Sequence, residues 1–161
     1  MLLRHHELVL STLLKHLSVP ESPARQALLE MLGSLTRDLR GELYPYLDQI
    51  LEVVYKVMNP ADAQCLEDVF STISILFKFL VKHLVADLSA FFKSYAPFLQ
   101  HGKDYVRGFA AESFAFLFRK ASVAKLEGHM DAMFDYMEQL QQHDNSRQTL
   151  GLEDGMAGGL F

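Results

Sequence analysis

The 161-residue chain has no tryptophan and a single cysteine, Cys65. One thiol cannot close an internal disulfide, fits a reducing compartment and supplies no thiolate set for a metal, so Cys65 is expected to be a buried bystander. No sign of charge dominates: 15 Lys and Arg against 20 Asp and Glu leave a net charge of -5. That balance gives no general electrostatic reason to bind nucleic acid and leaves only local basic groups. A secretory leader is not expected, because Arg4, His5, His6 and Glu7 interrupt the opening apolar run and no small-residue cleavage site follows. The most apolar region, ISILFKFLVKHLVADL, is broken by Lys78, Lys82 and Asp87. A soluble chain without a membrane span is therefore expected.

Signatures of catalysis and ligand binding are missing as well. His5, His6, His16, His83, His101, His129 and His143 include no pair at the four-residue spacing of a helical zinc site. Neither AAESF nor LSTL forms a nucleophile elbow, and no serine has an identifiable His and Asp arrangement. Gly155, Gly158 and Gly159 come too late, with no helix or lysine after them, to cradle a phosphate. Glu112 reads as a solvent-strip residue or a partner for Arg119 rather than as an acid catalyst. The expectation is a non-enzyme with no cofactor and no metal.

What the chain does have is apolar residues in half of its positions and five prolines that punctuate them. A helix over about 5–17 stops at SVPESP, where Pro20 and Pro23 intervene. Others are expected over about 23–39, from 42 or 46 to 58 with Pro45 in the first turn, and after NPADAQ, with Asn59 as cap and Pro60 as first helical residue. In that fourth segment Leu66, Val69, Phe70, Ile73, Leu76, Phe77 and Leu80 form a broad apolar face, opposite a strip of Glu67, Ser71, Ser74, Lys78 and Lys82. A further helix bends or ends near Pro97, another covers about 103–121, and a last one carries Met130, Met133, Phe134, Met137 and Leu140 on one side. Helices with matching roles begin near 23, 62 and 101, a period of about 39 residues that belongs to helix-pair solenoids.

These features predict an all-α fold, a HEAT-like helical-repeat solenoid of antiparallel helix pairs over residues 1–142, with 143–161 as a flexible tail. A compact helical bundle is the competing architecture. The stretch KDYVRGFAAESFAFLFRK favours the solenoid. On a helical wheel Val106, Phe109, Ala110, Phe116 and Leu117 share one sector, extended by Ala111, Phe114 and Phe118, and only a narrow strip with Asp104, Glu112 and Arg119 is polar. Such a helix needs neighbours on more than one side, with Ala110 and Ala111 allowing close approach.

The blocks DLRGELYPYLDQILEVV, LEDVFSTISILFKFLVKHLVADLSAFFKSYAPFL and KDYVRGFAAESFAFLFRKAS, in that order, resemble the amino-terminal HEAT-repeat region of the component 20 family of the small-subunit processome, also called down-regulated in metastasis. The resemblance covers about residues 23–123. It implies a non-enzymatic scaffold of the nucleolus and nucleus, serving small-ribosomal-subunit assembly and pre-rRNA processing. Processome proteins and the box C/D snoRNP are its implied partners, with pre-ribosomal RNA as a further candidate. The family's proteins are very large and this chain is short, so it reads as a fragment, an isoform or a diverged copy.

For contacts with RNA or acidic partners the candidates are Lys103, Arg107, Arg119 and Lys120, which flank one helix. Lys78, Lys82, His83 and Lys93 make a second modest basic group. Tyr44, Tyr46, Tyr95 and Tyr105 read as seam packing between helices before they read as a base-stacking platform. Two other functional classes stay open. One is a generic HEAT-like adaptor in cytoplasmic assembly or transport, and the other is a helical enzyme or carrier built around a closed pocket.

Overall fold

The structure, a computed structural model, describes the backbone of residues 2–157 and the side-chain surroundings of 5–146. Among the described residues there are seven α-helices, one 3₁₀ helix and no strand. They are α1 (Leu2–Leu17), α2 (Arg25–Leu39), the 3₁₀ helix (Arg40–Tyr46), α3 (Leu47–Lys56), α4 (Ala63–Ala86), α5 (Leu88–Leu99), α6 (Asp104–Lys120) and α7 (Val123–Ala157). The chain divides into two units, Met1–Ala121 and Ser122–Phe161.

Punctuation by side chains sets most of these boundaries. Asp62 caps α4 by accepting from the Cys65 N–H at 3.0 Å. The expected cap, Asn59, instead accepts from the Ala61 N–H at 3.0 Å and closes the turn before the helix. Both residues suit a cap, but Asn59-Pro60 is used as a turn, which moves the helix start by three residues. Asp87 ends α4 and caps α5 through the Ala90 N–H at 3.1 Å. Pro45 lies in the 3₁₀ helix, ahead of α3. Pro97 lies in the last turn of α5, which ends at Leu99 as expected near that proline. At Arg40 the backbone turns through a φ of 47°, a region that L residues seldom enter. Gly41 follows, where an added Cβ would lie 2.5 Å from His83 Nε2.

In the first unit α4 is the central element. It packs on α2 and α6 at its sides and on α3, α5 and the 3₁₀ helix, while α1 covers α2 and α3 and α5 lies against α6. Its buried side chains, Cys65, Val69, Thr72, Ile73, Leu76, Phe77, Leu80 and Leu84, recur at helical spacing. Leu66 and Phe70 are half-buried, and Glu67, Ser71, Ser74, Lys78 and Lys82 are exposed. By length and composition α4 is apolar enough to cross a membrane. The interruption expected from charge fails because Asp87 lies outside the helix. The apolar stripe of α4 is instead packed against neighbouring helices, and Cys65 is buried with its thiol donating to the Val57 carbonyl at 3.2 Å.

Equivalent helices run in the same direction. Arg25 at the start of α2 pairs with Asp62 at the start of α4 at 2.7 Å, Thr72 Oγ1 lies 3.5 Å from the Leu29 carbonyl, and a Cβ on Gly33 would lie 3.3 Å from Ile75 Cδ1. Contacts that advance together along both helices require a parallel pair. For α4 and α6, Phe70 stacks on Phe109 with centroids 4.0 Å apart, while Val81 and Lys120, both farther along, line one cavity. In an antiparallel pair those two residues would be about 30 Å apart. Cross-helix hydrogen bonds join residues 37, 40 and 43 positions apart. The period near 39 thus appears as a row of parallel helices, α2, α4 and α6, with the returning helices packed beside them, the arrangement of a HEAT-like solenoid.

The second unit contains α7, with Met130, Met133, Phe134, Met137 and Leu140 on one face by their spacing and with Phe134 and Met137 exposed. Backbone helix continues to Ala157, inside the segment from 143 that composition reads as a tail, and 158–161 lie outside the described residues. We propose that 143–157 is the flexible part of the chain, since the side chains of His143 to Ser146 are all exposed.

Candidate interaction surface on the row of parallel helices

The surface begins with α6. Its buried stripe is Val106, Ala110, Phe114 and Leu117, packed between α4 and α5. Neighbours on two sides are what the wheel required. Ala110 is fully buried, whereas Ala111 is exposed and plays no part in close approach. Phe109, Phe116 and Phe118 are half-buried.

The four candidate cations do not form one patch. Lys103 precedes the helix and holds its ammonium 5.8 Å from the centre of the Tyr105 ring. Arg107 is half-buried, pairs with Asp104 and donates to the His101 carbonyl at 2.6 Å, so it ties the preceding turn to the first turn of α6. Arg119 and Lys120 are exposed in the last turn, about 20 Å away along the axis. There they complement the negative end of the helix dipole. Lys120 also sits 5.7 Å from the centre of the Phe116 ring.

The structure joins Lys120 to a different partner, Lys78. Both line a groove of about 710 Å³ between α4 and α6, with Ser74, Phe77, Val81, Phe109, Glu112, Ser113 and Phe116. On α4 the lining positions follow an i, i+3, i+4, i+7 pattern, and α6 presents the same type of stripe. Four apolar side chains make the floor, Glu112 lies toward the start of α6, and the two lysines lie toward its end. Residues 78 and 120 are far apart in sequence, and only the parallel register brings them together.

Ser113 connects this groove to the core. Behind it the hydroxyls of Tyr55 on α3 and Tyr95 on α5 share a short hydrogen bond, and the Ser113 hydroxyl interacts with both. Burial pushes both phenols far above their ordinary range; the Tyr55 phenol raises that of Tyr95 further, while Ser113 acts in the opposite direction on each. Tyr95 is fully buried and packs on Phe77, Phe91, Phe98 and Phe114. It is a core residue and not a stacking platform. Tyr44 stacks on His83 with centroids 5.3 Å apart, and burial, then Asp87 and Asp48, raise its phenol. Tyr55 was missing from the sequence-derived set because an isolated tyrosine carries no signal of its partner 40 residues away.

Among the described residues no group of three His, Cys, Asp or Glu side chains could hold a metal. The surface offers shape, apolar area and a few charges, which suits partner binding and supplies no nucleophile and base pair. Its chemistry is that of a helical-repeat scaffold.

The chain matches no protein-family model. Over 141 residues, 85% of its length, it is 25% identical to U3 small nucleolar RNA-associated protein 20 of Saccharomyces cerevisiae. Over 120 residues, 73% of its length, it is 28% identical to the protein of the same name from Schizosaccharomyces pombe. The first alignment is longer than the stretch 23–123 in which the resemblance was read, so the similarity reaches beyond those residues. The chain spans only 6% and 5% of these relatives. Its helical-repeat fold is thus distantly and partially related to U3 small nucleolar RNA-associated protein 20.

Proposed function

We propose that this chain is a non-enzymatic scaffold segment in small-ribosomal-subunit assembly and pre-rRNA processing, acting in the nucleolus and nucleus. It holds assembly factors of the small-subunit processome, including the box C/D snoRNP, and contacts pre-ribosomal RNA. The observation that carries this reading is the similarity to a U3 small nucleolar RNA-associated protein across most of a chain that folds as a row of repeat helices. A solenoid segment works by presenting surface, so retaining the helix row retains the capacity to bind even at low identity. Lys103, Arg107, Arg119 and Lys120 are proposed as contacts at the two ends of α6.

The test is quantitative recovery of pre-ribosomal RNA and processome proteins with the tagged 161-residue chain, its four-site charge-reversed variant and a longer chain that includes flanking repeats. Enrichment of precursor RNA and processome proteins by the longer chain is expected, weakened by the charge reversals. A folded longer chain that enriches neither sinks the assigned process. Recovery of cytoplasmic assembly or transport factors instead favours a generic adaptor.

A further inference from the structure

The lining of the groove between α4 and α6 is ordered by charge along its length. From Phe109 to Lys120 it extends about 16 Å, three helical turns. Phe77, Val81, Phe109 and Phe116 form the floor, Glu112 stands toward one end, and Lys78 and Lys120 stand toward the other. We propose that this groove seats an amphipathic helix of about three turns from a partner protein, antiparallel to α4 and α6, with carboxylates in its first turn against Lys78 and Lys120. This goes beyond the assembly role, because such a groove would select its partner whichever particle the chain joins.

Direction follows from electrostatics. The lysine end of the groove coincides with the C-terminus of α6, where unpaired carbonyls concentrate negative potential. An antiparallel helix brings its positive N-terminus to that end, and acidic residues in its first turn both stabilise the helix and meet the lysines. At the opposite end Glu112 disfavours those same carboxylates, so a reversed orientation is penalised twice. An apolar stripe at i, i+3, i+4 and i+7 matches the lining pattern that each wall presents. The same features disfavour RNA: among the described residues two cations line the groove, a carboxylate occupies its other end, and one face of Phe109 is already covered by Phe70.

The test uses a 14-residue synthetic amphipathic peptide with three glutamates in its first turn and one tryptophan, a residue that the chain lacks. Controls carry the glutamates in the last turn or lysines in the first. Titrated into the full chain at low salt, the first peptide should bind about tenfold more tightly than either control. That preference should shrink at 0.5 M salt. A Lys78→Glu/Lys120→Glu variant, altered at exposed positions and so retaining its helical signal, should invert the preference toward the lysine peptide. Phe116→Glu should abolish binding of all three. No detectable binding, equal binding of the three peptides, or indifference to the double reversal overturns the proposal. Displacement of the peptide by a single-stranded RNA oligonucleotide assigns the groove to RNA and overturns it. So does sedimentation showing a dimer that the Phe116→Glu variant dissolves, which assigns the groove to a second copy.

Discussion

Tyr55, Tyr95 and Ser113 come from three helices, and the hydroxyls of the two buried tyrosines meet with that of Ser113 beside them. A buried hydroxyl that loses its partner costs about 1–3 kcal/mol, while removing both partners together costs less than the sum. Tyr55→Phe and Tyr95→Phe should therefore each destabilise by about 1–2 kcal/mol in urea denaturation, and the double variant by less than their total. Additive losses would show that the hydroxyls do not act as a pair. The same site sets an alkaline limit. Both phenols have raised folded-state pKa values, so their contribution is complete below the unfolded value near pH 10 and is lost as pH climbs above it. The wild-type urea midpoint should fall faster above pH 10 than that of the double variant. On α4, Phe77 is fully buried between α5 and the α6 groove, and Ser71 is exposed. Phe77→Ala should cost about 3–4 kcal/mol and Ser71→Ala less than about 0.5 kcal/mol; similar midpoint shifts would place the wrong face inside.

The clearest elements in the sequence are those whose own side chains decide their structure. The 3.6-residue rhythm of α4 identifies its buried face from Val69 to Leu80, and the wheel of α6 anticipates a helix with neighbours on two sides. Positions decided by an alternative local bond were less legible: NPAD offers Asn59 and Asp62 as caps, and nothing local says which will take the turn. The groove was not legible at all. Its walls are two stripes that each look like ordinary amphipathic surface, and their alignment depends on the parallel register of α4 and α6. For the same reason the sequence groups Lys120 with Lys103, which flanks the other end of the same helix, rather than with Lys78 across the groove. The last helix reads differently again. Since side chains from 143 to 146 are exposed, amide hydrogen exchange in 143–157 should be complete within seconds while the central amides of α4 stay protected for hours. Comparable protection in both would remove the proposed flexible stretch.

At the scale of the whole molecule the two architectures left open by the sequence make different demands on how damage spreads. In a row of repeats each helix depends mainly on its neighbours, whereas a compact bundle loses its one core together. Leu17 is fully buried at the end of α1, which rests on α2 and α3. Leu17→Ala should speed hydrogen exchange in α1 to α3 and leave α6 close to wild type. A uniform loss of protection from α1 to α6 would favour the single-core bundle.

The ion pair between Arg25 and Asp62 has a consequence for how such a chain avoids misassembly. Repeats of similar shape risk stacking in the wrong order, because each apolar face can cover any other. Arg25 opens α2 and finds a carboxylate at the start of α4. In the place that Asp62 takes before α4, α6 has Lys103, followed by Asp104, whose carboxylate already pairs with Arg107. A chain that skipped α4 and laid α6 directly against α2 would bring Arg25 up to Lys103 and expose the core of α4. The partly exposed pair adds little to the stability of the correct stack, but like charges in the wrong one would count against it. The Arg25–Asp62 pair thus matches the start of α2 to that of α4 in the correct stack.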